Sequence, residues 1–272
     1  METKGVLYIA TGKRFAREAA ISAESIKKHM PHIDIAIMSN EEVTEEVFDE
    51  YIKISNPDFD FSDQIGYILN TPFDRTLCID TDIYADSSFE EVFDLLDEFD
   101  IAAAHNQNKK SYEIPNVPDS FPEYNTGVLL YKNTPRFRDF IKSWKKNYDQ
   151  LSTESETRNQ PAFRRALYCS NLRIATLPSE YNLMVRYPGH AVGKVKIFHG
   201  RLLDIESPGA GKYHDVEEAA KVINSTNQHR VFTQIGGISL YTNKEESTVG
   251  KALMSYQRNG LLGTITKIKE KL

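Results

Sequence analysis

The chain has 272 residues, Lys+Arg 33 against Asp+Glu 39 and a formal net charge of −6; hydrophobic residues make up 40%. That length suits one large domain or two small ones, with enough chain to bury a full core. No apolar run reaches the roughly 18–20 residues of a membrane span, two cysteines cannot build a disulfide framework, and an acidic balance argues against nucleic acid as a partner.

Met1-Glu2-Thr3-Lys4 carries neither the apolar stretch nor the cleavage site of a signal peptide. Cys78 and Cys169 lie in or beside apolar stretches and read as buried thiols of a reducing compartment. A cytoplasmic protein is the expectation.

Gly5–Ala10 is a continuous apolar run ending at Thr11-Gly12, as in a strand covered on both faces. Phe15, Ala19, Ser22 and Ile26 then recur at helical spacing up to Lys27-Lys28 and Pro31, and Ile33–Met38 is a second apolar run. Strand, helix, strand at this spacing is a right-handed crossover unit. The alternation continues. A short strand falls at Tyr51–Ile54, a polar loop at Asn56–Asp63, a helical segment at Ile65–Leu69 and a buried strand at Leu77–Ile79. Ser87 or Ser88 can cap a helix carrying Phe89, Val92, Phe93 and Leu96. Strands follow at Ile101–Ala104 and Gly127–Tyr131, and Pro135 opens a helix with Phe137, Ile141 and Trp144 on one face. This is α/β architecture with a mostly parallel central sheet flanked by helices.

Beyond Gly200 the pattern weakens. Residues 1–205 read as one catalytic domain and 206–272 as a helical or irregular C-terminal extension. Residues 249–272 intersperse Leu253, Tyr256, Leu261 and Ile265 with Lys251, Arg258, Lys267 and Lys269, a basic amphipathic end on an acidic chain. It reads equally as a peripheral membrane contact or as a helix packed on the domain.

The sharpest motif is Leu77-Cys78-Ile79-Asp80-Thr81-Asp82. Ligands of open α/β sheets bind beyond the carboxyl ends of the strands, where two carboxylates at i and i+2 can approach one divalent ion. Hard oxygen ligands suit Mg²⁺ or Mn²⁺ bridging a diphosphate. Turn chemistry offers the plainer alternative of two loop-capping aspartates. Asp58-Phe59-Asp60 has the same spacing, but it lacks a strand leading in and reads as a solvated loop.

Six segments in order resemble the metal-dependent family 8 glycosyltransferases of the Rossmann-like nucleotide-sugar (GT-A) fold. They are Tyr8–Gly12 with the helix Ala20–Pro31, Thr71–Asp82, Tyr124–Leu130, Asn159–Phe163, Leu177–Asn182 and Ile197–Gly200. The resemblance implies transfer of a hexose from a UDP-sugar to an acceptor hydroxyl, with retention of anomeric configuration, on a carbohydrate or lipid-linked glycan. It implies Asp80, Asp82 and His199 as ligands of Mn²⁺ or Mg²⁺, a combination imidazole chemistry permits. Ala10, Thr11, Gly12, Thr81, Asn125 and Gly127 would meet the donor, and Gln160, Asn125 and Asn159 would act at the sugar.

Three features depart from the family. Asn159 stands where it has aspartate, Asp63-Gln64 where a basic helix is usual, and its phosphate-binding lysine is missing, a role Arg201 or Lys212 could take. Two other readings accompany this one. A phosphatase of the haloacid dehalogenase type would use Asp80 as nucleophile, although its motif normally sits on the first strand. A catalytically impaired sugar-nucleotide binder would keep the fold without the turnover.

Overall fold

The computed structural model describes residues 2–107, 114–152, 158–185, 187–200, 220–221, 223–225, 229–235, 238–243 and 260–261. In chain order the elements are β1 (Lys4–Ile9), α1 (Lys13–His29), β2 (Asp34–Ser39), β3 (Glu50–Lys53), α2 (Ser62–Tyr67) and β4 (Arg75–Ile79). There follow β5 (Ile83–Ala85), β6 (Ile101–His105), β7 (Tyr124–Lys132), α3 (Pro135–Leu151), α4 (Gln160–Tyr168) and β8 (Ile174–Leu177). The described chain closes with β9 (Leu183–Met184), β10 (Gly189–Ala191), β11 (Ile197–His199), β12 (Arg230–Ile235) and β13 (Ile238–Asn243).

The central sheet has seven strands in the order β3-β2-β1-β4-β7-β6-β8. All are parallel except β7, which runs antiparallel to both β4 and β6. Continuous apolarity arises because both faces are covered. Val6 and Tyr8 pack beneath Ala19, Ala23 and Ile26 of α1. Leu7 on the opposite face meets a core built with Phe137, Trp144 and Phe163 of α3 and α4. Thr134 caps α3, accepting from Phe137 N at 3.2 Å, and Pro135 takes the first turn.

β7's reversal matters for function. Its amino end lies with the carboxyl ends of β1, β4, β6 and β8, so Thr11, Asp80, Asn106, Asn125 and Leu177 gather along one edge. Two small sheets extend that edge, β5-β11-β9 and β10-β12-β13.

Three local expectations change. Residues Glu90–Asp97 form a 3₁₀ helix that begins after Phe89, with Ser88 Oγ accepting from Glu90 N at 3.4 Å. Cys169 is exposed just past α4, while Cys78 is buried and its thiol is pushed up to about 12, first by desolvation and then by the Asp80 charge. Beyond residue 206, in the stretch expected to be helical or irregular, β12 and β13 pair as an antiparallel ladder from Arg230↔Asn243 to Ile235↔Ile238. β12 also pairs with β10, and Ala220 and Ile223 share a buried cluster with Leu183, Val195 and Phe198. Of the basic segment 249–272 only residues 260–261 are described. Among the described residues no helix is long and apolar enough to cross a membrane.

Candidate metal and donor site

Asp80 and Asp82 leave the sheet at the end of β4, its fourth strand in chain order and a central one. Asp80 is fixed by its own backbone, N donating to Gly127 O at 2.9 Å. Thr81 turns inward, Oγ1 donating to the buried Glu18 Oε2 of α1 at 2.5 Å. The two aspartates therefore project outward on either side of an anchored threonine.

His199 reaches them through strand pairing. β11 lies antiparallel to β5 with His199 opposite Ile83, and Gly200 N donates to Asp82 O at 3.1 Å. His199 Nε2 stands 3.4 Å from both Asp80 Oδ2 and Asp82 Oδ1. The three ligand atoms lie within 4.8 Å of one another. Side-chain exposure falls from 45% at Asp80 through 17% at Asp82 to 5% at His199, so the group opens on the Asp80 side.

The imidazole's orientation follows from a chain of amides. Gly127 N–H donates to Asn125 Oδ1 at 3.0 Å, and Asn182 Nδ2 donates to the same oxygen at 2.9 Å. Asn182 therefore turns its carbonyl to His199, Oδ1 lying 2.8 Å from Nδ1. Nδ1 must carry a hydrogen, which leaves the Nε2 lone pair of the neutral ring facing the carboxylates, the tautomer a metal ligand needs. Desolvation pulls the His199 pKa down, but hydrogen bonds and charge from Asp80 and Asp82 outweigh it and raise it to about 9.

Gly127 has a steric reason to be glycine. A Cβ there would meet His199 Cε1 at 2.3 Å and Asp80 Oδ2 at 2.4 Å. Any side chain at 127 would fill this space between Asp80 and His199. Two hard carboxylates, one neutral imidazole and a cradle kept clear by a glycine fit a divalent cation.

The group forms one wall of a cleft of about 540 Å³ shared with Thr11, Phe15, Phe59, Phe61 and Gln64. Phe59 and Phe61 are 64% and 49% exposed. Asp63 holds their loop against β1, accepting from Thr11 Oγ1 at 2.7 Å, Asp58 N at 2.8 Å and Phe59 N at 3.0 Å. The loop around Asp58 and Asp60 is solvated as expected, but it is also cleft wall. Nothing near Phe59 in the sequence announces this, because the tie runs to Thr11, 52 positions away from Asp63.

The remaining expected residues divide. Gly12 borders the cleft's Thr11 with φ 98°, its N donating to Asn40 Oδ1 at 2.7 Å. Ala10 is fully buried, its N bound to Met38 O at 2.8 Å. Asn125 is 4% exposed, its Oδ1 accepting from Gly127 N–H and Asn182 Nδ2. Asn159 is 2% exposed. Its amide is occupied by Thr126 Oγ1 at 3.0 Å and Gln64 Oε1 at 2.5 Å, and its carbonyl by Trp144 Nε1 at 3.0 Å. Gln160 is half-buried and accepts from Asn106 Nδ2 at 3.0 Å. Arg201 and Lys212 lie outside the described residues. His105 and His190 line a second cavity of about 580 Å³ that reaches Asn106 and Asn182, the back of the same edge.

Comparison with protein-family models and with curated proteins finds no match. Solved structures do match. The galactosyltransferase LgtC, crystallised with donor and acceptor sugar analogues, superposes with a TM-score of 0.55 at 14% identity, over 82% of this chain and 96% of that one. The glycosyltransferase GlyE of Streptococcus pneumoniae TIGR4 gives 0.54 at 15%, over 82% and 61%. Mouse xyloside xylosyltransferase 1 gives 0.50 at 14%, over 73% and 98%. At these identities the shared property is the fold, which is the GT-A arrangement expected from the sequence.

Proposed function

We propose that the protein is a metal-dependent glycosyltransferase, moving a hexose from a UDP-sugar to a hydroxyl of a carbohydrate or lipid-linked glycan, with retention at the anomeric carbon. The observation that carries this reading is the Asp80–Asp82–His199 group at the carboxyl end of a central strand, beside a cleft of nucleotide size. A bound Mn²⁺ or Mg²⁺ would supply charge neutralisation for the departing diphosphate.

The chain's own residues do the rest. The Phe15, Phe59 and Phe61 rings offer faces for a nucleobase, and a bound base would cover their exposed area. Thr11 and Gly12 border the nucleotide end. Asn125 and Asn182 act through His199, holding its proton at Nδ1. Gln160, whose Nε2 has no protein partner among the described residues, offers N–H groups to the sugar. The basic segment 249–272 would hold the protein at an anionic surface carrying the acceptor. Liposome flotation with and without that segment checks it.

The test is a panel of sugar nucleotides assayed by Mn²⁺-dependent hydrolysis and by thermal shift. Turnover of a UDP-sugar that vanishes in Asp82→Ala supports the enzyme. A thermal shift without turnover would make the protein a binding module. Silence toward every UDP-sugar would overturn the donor assignment.

A further inference from the structure

The amino end of α4 meets the amino end of β7 through two buried polar residues that the reading above does not use. Asn106, just past β6, is 8% exposed, and Glu123, just before β7, is 7% exposed. Asn106 is clamped to Glu123 twice, N to the Glu123 carbonyl at 2.8 Å and Nδ2 to the carboxylate Oε1 at 2.7 Å. Asn106 Nδ2 also donates to Gln160 Oε1 at 3.0 Å.

The geometry points to Glu123 and Asn106 as positioning residues that fix which end of the Gln160 amide faces the reacting sugar. This rests on the transferase reading and names how one of its side chains is oriented. An amide can present either its oxygen or its NH₂ group, and packing alone distinguishes them poorly. A carboxylate can only accept. Glu123 therefore forces Asn106 to present Nδ2, and the second Nδ2 hydrogen then forces Gln160 to present Oε1. The Gln160 Nε2 hydrogens are left for ligand. A fully buried Arg164, one turn along α4 from Gln160, donates from Nε to Phe121 O at 2.8 Å and from Nη2 to Pro118 O at 2.9 Å. The same face of α4 thus holds the segment leading into Glu123 and receives the amide relay that Glu123 begins.

The decisive variant exchanges the two ends, Glu123→Gln with Asn106→Asp. Charge is kept, and so are the hydrogen bond between the two side chains and the one to Gln160. Gln at 123 donates to Asp at 106, Asp accepts from Gln160 Nε2, and Gln160 now offers its oxygen. Melting should stay within about 3 °C of the native protein. The kcat for Mn²⁺-dependent sugar-nucleotide turnover should fall by about a hundredfold, the scale for losing one positioned donor, with KM changed far less. Native kcat in the exchanged protein would overturn the proposal and leave the relay a purely structural feature. Neutron diffraction of the native protein reads the same point without activity. Deuterium on the Gln160 atom turned away from Asn106 supports the proposal, and a bare oxygen there overturns it. A native protein that turns over no sugar nucleotide would sink the transferase reading alone, since the neutron result stands apart from it.

Discussion

Asn182 Oδ1 lies 2.8 Å from His199 Nδ1, and that single contact decides which imidazole nitrogen faces the aspartate pair. The asparagine has no freedom to flip, because its Nδ2 is committed to Asn125 Oδ1, which Gly127 N–H already holds as an acceptor. The backbone of β7 thereby sets the tautomer of a residue on β11.

Replacing Asn182 by Leu removes that constraint at nearly constant volume. Mn²⁺ affinity, measured by titration calorimetry, should weaken about tenfold to hundredfold, as for other lost partners of ligating histidines. Unchanged affinity would mean that strand packing alone orients the ring.

Gly127→Ala should be more severe. The new methyl would sit 2.3 Å from His199 Cε1, on a ring held by Asn182, and 2.4 Å from Asp80 Oδ2, a carboxylate that can yield only by swinging out of the three-residue group. Overpacking of this kind costs about 1–3 kcal/mol, so chemical denaturation should register a loss while the protein still folds. Stabilisation by added Mn²⁺ should disappear. A variant that still gains stability from the metal would contradict the steric account.

The raised His199 pKa makes metal-free stability depend on pH in a definite direction. Its unfolded value is 6.5 and its folded value about 9, so the folded state binds the extra proton between them. The stabilisation is complete below about pH 6.5 and is lost as pH rises through about 9, amounting to about 3 kcal/mol for a shift of this size. Thermal melts in chelator should therefore show stability declining from pH 6.5 to 9.5, and His199→Gln should flatten that decline. With Mn²⁺ present the metal displaces the proton, so the gain from metal should grow as pH rises. Equal pH slopes in the native protein and His199→Gln would refute the assignment.

The sequence exposes Asp80 and Asp82 because an apolar run, Leu77–Ile79, delivers them to the end of a strand. It exposes the covered sheet because apolarity there is continuous. It hides what depends on long-range pairing. The reversal of β7 is set by its neighbours, and nothing in Tyr124–Lys132 marks its direction. Glu18 meets Thr81 across 63 positions, and its only local trace is a carboxylate placed between the buried Ala16 and Ala19 on α1. Glu123 and Asn106 look like ordinary loop polar residues until β6 and β7 bring them together. The β12–β13 ladder did carry a local signal, Gly236-Gly237 between β-branched and aromatic runs.

Asn159, which stands where the family that the sequence resembles has aspartate, yields the last prediction. Introducing a carboxylate with Asn159→Asp should destabilise the protein and not improve turnover. Asn159 Nδ2 donates to Gln64 Oε1 at 2.5 Å, while Gln64 Nε2 donates to Thr126 O at 3.0 Å. Aspartate would set two acceptors against each other at the first contact. If Gln64 flips to repair it, its oxygen then faces the Thr126 carbonyl. One unsatisfied pair survives either way at a site 2% exposed, a cost of about 1–3 kcal/mol. Denaturant titration should show that loss, and Gln64→Glu, with its second oxygen aimed at Thr126 O, should not rescue it. A more stable or more active Asn159→Asp protein would mean that the buried amide network is not what selects asparagine here.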